Sequence, residues 1–505
     1  MNTDFFRSRL QVGDVYVWQM PSMFSVGLWI AAGLFVAQVS AEAVALVGKI
    51  ELGQLADFKT AGPNWKEAAD LEGDPRNETG LVVRGGKGLI VNQPGEGAKS
   101  DLFTEWEHGD LEFEGEFLLP KGSNSGIYFM GRYEIQLFDS SGVRTPGVRD
   151  LGALYERWDA SRGKGYEGFD GVPPRANAAR APGLWQHIHV LFRAPRFDDQ
   201  GKKVEDARFL SVEVNGYPVQ IDTVATGPTR SSHFESEAPL GPLMIQGSHG
   251  AVALRRLRCS VPEQPAAHVG KKAARKAQEQ IVLTVGDRVR LQRGFVPFQP
   301  YKRLYACSVG TPEGVNYAYD LASFSLLRVW RGGFIDTTEM WQERGVSQLA
   351  KPAGPSLTLT GAPGIALLES PDSDGWPVQP SPLFSSQGYH LEADGTPVFR
   401  ASLAQLQLTD RVTPLKEGTG LTRTVKFEGS LPGWSCFLLL AESDRITSAG
   451  KDRSGFIVGD REWYLDFPKD WVHTPLVLPR SDRQWLVLQL TKANLDQPVT
   501  YSIVW

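Results

Sequence analysis

The stretch Leu111-Glu112-Phe113-Glu114-Gly115-Glu116-Phe117 alternates apolar and acidic residues, and that period admits one local structure. In a β-strand successive side chains point to opposite faces, so Leu111, Phe113 and Phe117 enter a core while Glu112, Glu114 and Glu116 face out. The runs GIYFM, YEIQLF, WQHIHVLF and MIQGS are further short strands bounded by Gly, Pro or Asp. FLSVEVNGYPVQI sets Asn215-Gly216 between two alternating runs, a two-residue hairpin signal. From Val44 to about Ser260 no long amphipathic pattern interrupts the strands, so an all-β sandwich is expected. Residues 140–182, rich in Gly, Pro and Arg, read as a long excursion across one face of a sheet, and long loops in compact domains tend to be functional.

At 505 residues the chain is long enough for two or three domains. PEQPAAHVGKKAARKAQEQ, residues 262–280, breaks the strand pattern with Pro, Ala and Lys and reads as a linker. Strand-like sequence resumes at IVLTVGDRVRLQRGF and runs to YSIVW, so residues 281–505 are expected to form a second β-sandwich; no internal repeat relates the halves. A net charge of −5 supplies no general attraction to nucleic acid or to an acidic membrane surface. The 14 tryptophans and 25 phenylalanines, with 53 glycines for turns, suit β-sandwiches and sugar-binding grooves.

Arg7 and Arg9 precede FSVGLWIAAGLFVAQ, an apolar stretch of signal-peptide length, and Val39-Ser40-Ala41 is a small-x-small cleavage site. Residues 1–41 are therefore expected to be leader and signal peptide, with Met23 a second candidate start, and the product periplasmic or secreted. A membrane anchor is the competing reading, although the stretch is slightly short for a span. Of the three cysteines, Cys307 and Cys436 are a candidate pair, leaving Cys259 free; spacing alone does not decide this. The sequence has no C-x-x-C pair and no P-loop, nor a dinucleotide fingerprint after a strand.

One strand carries an unusual polar pair. In Tyr133-Glu134-Ile135-Gln136-Leu137-Phe138, alternation turns Ile135 and Leu137 to the core and sets Glu134 and Gln136 together on the other face, with Arg132 expected beside them. Either that face meets solvent, or it lines a groove where a carboxylate and an amide act on a ligand.

The ordered motifs GSNSGIYFMGRYEIQLFDS, GALY, a proline-flanked Asn with PGLWQHIHV, VNGYPV, and GPLMIQGSHG followed by LRRLRC resemble the 3-keto-disaccharide hydrolase family over about residues 50–260. The resemblance implies a concanavalin A-like jelly roll over residues 42–261, and hydrolysis of glycosides already oxidised to a ketone at C3 of one sugar. It also implies an upstream sugar 3-dehydrogenase as a pathway neighbour. No cofactor is expected, with a divalent metal the lesser alternative. In the C-terminal half, KRLYACSVGTPEGVNYAYDL and LLRVWRGGFIDTTEMWQERG more weakly resemble a β-rich module of exported bacterial proteins, with a partner or a carbohydrate as its expected contact.

A C3 ketone acidifies the C2 hydrogen, so a base at C2 allows elimination of the C1 oxygen and water then adds to the unsaturated sugar. Glu134 is the candidate base, with burial raising its pKa and Arg132 lowering it; the competing reading is a Glu134–Arg132 pair in a solvated wall. His249, in QGSHG between small residues, is the candidate acid or donor to the ketone oxygen; the plainer reading is a capped loop histidine. Gln136 and Gln246 are candidates to bind hydroxyls, and Tyr155 and Trp185 to stack on a sugar or pack in a core. Asp139 and Asn177 either reach the groove or set turns. The family pattern usually has Asn after the tryptophan, where this chain has Gln186. His187 and His189 share a strand face and offer two metal ligands with no third in view.

Two rivals remain. A family 16-type glucanase shares the jelly roll but needs two carboxylates about 5 Å apart; Gln136 replaces the central acid and Asp139 has the opposite parity. The other is a lectin-like module in which the same groove binds sugar without turnover.

Overall fold

The computed structural model describes residues 44–505 except 60, 263–279, 343–344, 370–374, 433–434, 450–453 and 480–481, together with 11–12 and 15–16. The expected export segment at 23–41 and linker residues 263–279 lie outside the described residues. The single α-helix among those described is Thr338–Trp341; the remaining regular structure is almost all β.

Residues 44–260 build a two-sheet sandwich of jelly-roll type. Its strands are β1 (Val44–Ala45), β2 (Lys49–Leu52), β3 (Trp65–Glu72), β4 (Val82–Asn92), β5 (Leu102–His108), β6 (Leu111–Leu118), β7 (Asn124–Phe129) and β8 (Tyr133–Phe138). They continue with the short β9 (Arg157–Trp158) and β10 (Gly168–Phe169), then β11 (Trp185–Arg193), β12 (Ala207–Val214), β13 (Tyr217–Ala225), β14 (Gly241–Ile245) and β15 (Val252–Ser260). One sheet runs β8-β7-β14-β5-β1; the other runs β13-β12-β11-β6-β15-β4-β3, with β2 also paired to β15. Leu111, Phe113 and Phe117 of β6 enter the core between the sheets, where they meet Ile127, Phe129, Ile135 and Leu137 of β7 and β8. Asn215 and Gly216 turn the β12–β13 hairpin with φ of 52° and 73°, the left-handed pair that such a turn requires.

The outward face of the larger sheet is a charge ladder. His187 Nε2 lies 2.9 Å from Glu114 Oε1 and His189 Nε2 2.9 Å from Glu112 Oε1, while Arg258 joins Glu114 and Arg255 and Arg256 join Glu116. At its apolar end Trp185 packs with Leu71, Leu89, Val91 and Leu118.

Residues 281–505 form further antiparallel sheets, one of five strands from Arg290–Val296 to Ser356–Thr358 and one of eight beginning at Phe384–Leu391. They enclose their own core around Tyr317, Tyr319, Phe399 and Tyr501. Among the described residues no strand of 44–260 pairs with a strand of 281–505. Cys259, Cys307 and Cys436 are all free and buried. The disulfide considered for Cys307 and Cys436 is therefore absent; each thiol packs as an apolar side chain, and burial pushes both up to about 12.

Side chains rather than strands join the halves. Arg76 reaches Asp466 at 2.5 Å and stacks on Tyr464, whose hydroxyl donates to Pro182 O. Arg461 donates to Leu71 O and Gly73 O, while its carbonyl accepts from Trp185 N. Buried Arg331 donates to Ala179 O on one side and to Gly418 O, Thr419 O and Trp505 O on the other.

Candidate active site

β7 and β8 form a tight hairpin with Phe129 opposite Tyr133, Tyr128 opposite Glu134 and Gly126 opposite Gln136. Met130 and Gly131 make the reversal with φ of 57° and 63°. Because Ile127, Phe129, Tyr133, Ile135 and Leu137 belong to the core, Asn124, Gly126, Tyr128, Glu134 and Gln136 are left on the face that looks away from it. β14 extends that face with Met244, opposite Tyr128, and Gln246, whose N–H donates to Gly126 O.

Glu134 is 1% exposed. Burial raises its carboxyl to about 8; the Tyr128 hydroxyl opposes that rise and the charge of Asp101 adds to it. With its amide turned to satisfy its neighbours, Gln136 donates to Glu134 Oε1 at 3.1 Å and to Ser125 O at 3.3 Å. Among the described residues, and apart from the neighbouring Tyr128 hydroxyl, Glu134 Oε2 has no partner, and neither Gln246 Oε1 nor Asn124 Oδ1 has one. Three buried acceptors without donors, on adjacent strands of one face, suit a ligand that brings hydroxyl groups.

The surroundings hold this carboxyl in place. Glu134 N donates to Thr229 Oγ1 at 3.1 Å and its carbonyl accepts from Tyr155 N at 3.1 Å. Gln246 Nε2 donates to the Tyr128 hydroxyl at 3.4 Å, and that hydroxyl reaches Arg230 O at 3.3 Å. Gly247 N donates to Asp101 Oδ1 at 2.8 Å, which brings the second carboxylate to the same end.

Other candidates divide. Tyr155 follows the edge of β8 and adjoins Tyr128. His249 is exposed on the loop after β14, with Nδ1 2.9 Å from Ser248 Oγ. That loop lies against the site: a β-carbon on Gly250 would stand 2.5 Å from Asn124 N. No hydrogen bond joins His249 to Glu134.

Arg132 departs from the expectation. β8 begins at Tyr133, so Arg132 belongs to the turn and strand parity does not apply to it. Its guanidinium donates to Met130 O and Ser236 O and stacks 4.6 Å from Phe234. The ion pair considered with Glu134 is not formed, and among the described residues no cation offsets the burial of that carboxyl.

Asp139 accepts from Gly122 N and Ser141 N, and Asn177 donates to Ser140 O and Val143 O while accepting from Ala179 N. Both fasten turns and do not contact Glu134. Trp185 lies on the outward face of the larger sheet beneath the Arg255 guanidinium, 4.0 Å away, with the sandwich core between it and Glu134.

Tyr128, Asp101 and Asn124 were not singled out from the sequence. The signal for Tyr128 was available: closing GIYFMGRYEIQ as a hairpin brings Tyr128 opposite Glu134. Asp101 and Asn124 needed the three-dimensional pairing.

The class defined here is a jelly-roll sandwich with a buried carboxyl and open hydrogen-bond acceptors on one sheet face. Residues 53–259 match the family described as 3-keto-alpha-glucoside-1,2-lyase-like domain. None of the curated proteins compared with the chain matches it. Among solved structures, the chain is similar to a candidate glycosyl hydrolase from Parabacteroides distasonis at 19% identity, covering 46% of this chain and 98% of that one, with a TM-score of 0.29. Another candidate glycosyl hydrolase from the same organism is 16% identical over 41% of this chain and 94% of its own, with a TM-score of 0.27. The botulinum neurotoxin serotype D binding domain is 7% identical, covering 87% of this chain and 91% of its own, with a TM-score of 0.22.

Proposed function

We propose that the N-terminal unit cleaves glycosides oxidised at C3, by elimination across C1–C2 followed by hydration. Glu134 takes the C2 proton. The electron pair forms the enolate and then expels the C1 oxygen, leaving a C1–C2 double bond conjugated to the ketone; water adds to that bond and restores a 3-keto sugar. The observation that carries this reading is the Glu134 carboxyl, buried with Oε2 unpartnered beside the open acceptors Gln246 Oε1 and Asn124 Oδ1, inside the segment matching the lyase-like family.

Burial places the carboxyl near 8, so it exchanges a proton close to neutrality, as a general base must. Gln136 orients Oε1 and leaves Oε2 for the substrate. Burial and the neighbouring carboxylates hold the Tyr128 phenol well above its usual range, so it stays a donor throughout. We assign protonation of the leaving oxygen to His249 on the rim. The required ketone implies an oxidation at sugar C3 upstream, and export through residues 23–41 is part of the same proposal.

The test is monosaccharide release from 3-keto-disaccharides and their unoxidised parents, with Glu134→Gln and His249→Ala alongside. Release from the keto forms alone, with a transient ultraviolet-absorbing enone and exchange of the C2 hydrogen with solvent deuterium, is expected; both variants should lose turnover. Cleavage of the parents would replace the reading with a conventional glycosidase, and saturable binding without turnover would replace it with a lectin-like module.

A further inference from the structure

The excursion between β8 and β11 contains a hairpin that the chemistry above does not use. β9 pairs with β10, Arg157 opposite Phe169 and Trp158 opposite Gly168. Cations clamp its rings: the Arg162 and Arg157 guanidiniums lie 4.1 Å and 4.9 Å from the Phe169 centroid, and the Arg230 guanidinium lies 3.8 Å from that of Trp158. Despite this, Trp158 is 42% and Tyr166 75% exposed. Among the described residues of 44–260 these are the only large aromatic side chains left so open, and both belong to this one hairpin.

The hairpin is tied to the Glu134 site through Arg230. Its carbonyl accepts from the Tyr128 hydroxyl, its N–H donates to Glu156 O, and its guanidinium backs Trp158. Tyr128 in turn sits opposite Glu134. Trp158 is therefore joined through the single residue Arg230 to Tyr128, the neighbour of Glu134 across the hairpin, and a glycoside seated on Glu134 would extend one of its ends toward it. An indole backed by a guanidinium keeps its orientation and offers a flat apolar face beside a positive charge.

We propose that Trp158, held by Arg230 and flanked by Tyr166, is the leaving-group subsite, which grips a ring-shaped aglycone by stacking on its flat face. This rests on the 3-keto-glycoside reading. A second sugar and an aryl group share the necessary geometry, and a methyl aglycone lacks it.

The experiment measures kcat/KM for wild type, Trp158→Ala, Trp158→Tyr and Tyr166→Ala on three 3-keto-glucosides whose aglycones are glucosyl, aryl and methyl. Trp158→Ala should lower kcat/KM about tenfold on a ring-bearing substrate, mainly through KM, and leave the methyl glycoside unchanged. Trp158→Tyr should recover most of that loss, and Tyr166→Ala should show a smaller one. The ring-bearing substrate that loses more identifies the aglycone preferred. Equal losses on all three substrates, or no loss on any, would overturn the subsite while leaving the cleavage reading intact. Absence of turnover by wild type on all three would overturn the cleavage reading, and the subsite with it. Circular dichroism melts of each variant separate a lost contact from a lost fold.

Discussion

A β-carbon at Gly126 would stand within 2.9 Å of both Cγ and Cδ of Glu134 and still closer to Oε1, so the glycine is the space into which the carboxyl folds. Gly126 faces Gln136 across the hairpin, and the carboxyl lies over the backbone between the two strands. Gly126→Ala should therefore push the Glu134 side chain out of its seat. Turnover should fall by about 100-fold, with a stability cost of about 1–3 kcal/mol; steady-state kinetics and a thermal melt on the same sample check both.

The buried carboxyl also makes stability depend on pH, with a definite sign. Its value rises from 4.5 in the unfolded chain to about 8 in the folded one. Below the unfolded value both states hold the proton and nothing is lost. Between the two, the unfolded chain releases its proton and the folded one does not, so stability falls as pH rises; above about 8 the loss, on the order of 5 kcal/mol, is complete. Glu134→Gln should raise Tm relative to wild type, slightly near pH 5 and much more near pH 9, while abolishing turnover.

Catalysis should have the opposite slope. The base must be ionised, so Glu134 gives kcat/KM a limb that climbs with pH toward about 8, set against the opposite demand of the leaving-group donor, which must be protonated. A rate profile between pH 5 and pH 10 checks this, and a profile without a rising limb would remove Glu134 as the base.

Much of this arrangement was written in short-range alternation. The β6 stretch from Leu111 to Phe117 declared its two faces, Asn215-Gly216 declared its hairpin, and Glu134 and Gln136 share the outward face that their spacing required. Arg132 did not follow, because parity holds only within a strand and the strand begins one residue later. Trp185 shows a second limit. Its parity was readable, but which side of that sheet holds the groove depends on the partner sheet, and the tryptophan fell on the other side. Tyr128, Asp101 and Asn124 acquire meaning only across strands, and the contact of Arg331 with Ala179 spans 152 residues of sequence.

That contact gives another expectation. Burial lowers the Arg331 guanidinium to about 10, and its partners are carbonyl oxygens from both halves together with the face of Trp505. Arg331→Ala would strand four buried acceptors and should cost about 3 kcal/mol or more. In wild type the halves should melt together, and calorimetry of the variant should show the single transition split or moved to lower temperature.

All three thiols should react with an alkylating agent in denaturant without prior reduction, and none in the native protein. Mass spectrometry of the labelled chain checks this, and a reductant should leave Tm unchanged.

The clasp between the halves, from Arg76 with Asp466 to the Trp185 N–H on the Arg461 carbonyl, is built from residues remote from the point where one half gives way to the other along the chain. Covalent continuity across 263–279 is then a convenience of synthesis more than a condition of assembly. Two polypeptides expressed separately, one ending and one beginning within that segment, should recognise each other and reconstitute the whole in the manner of complementing fragments. On this view the second half is a fitted subunit that happens to share a chain with the first.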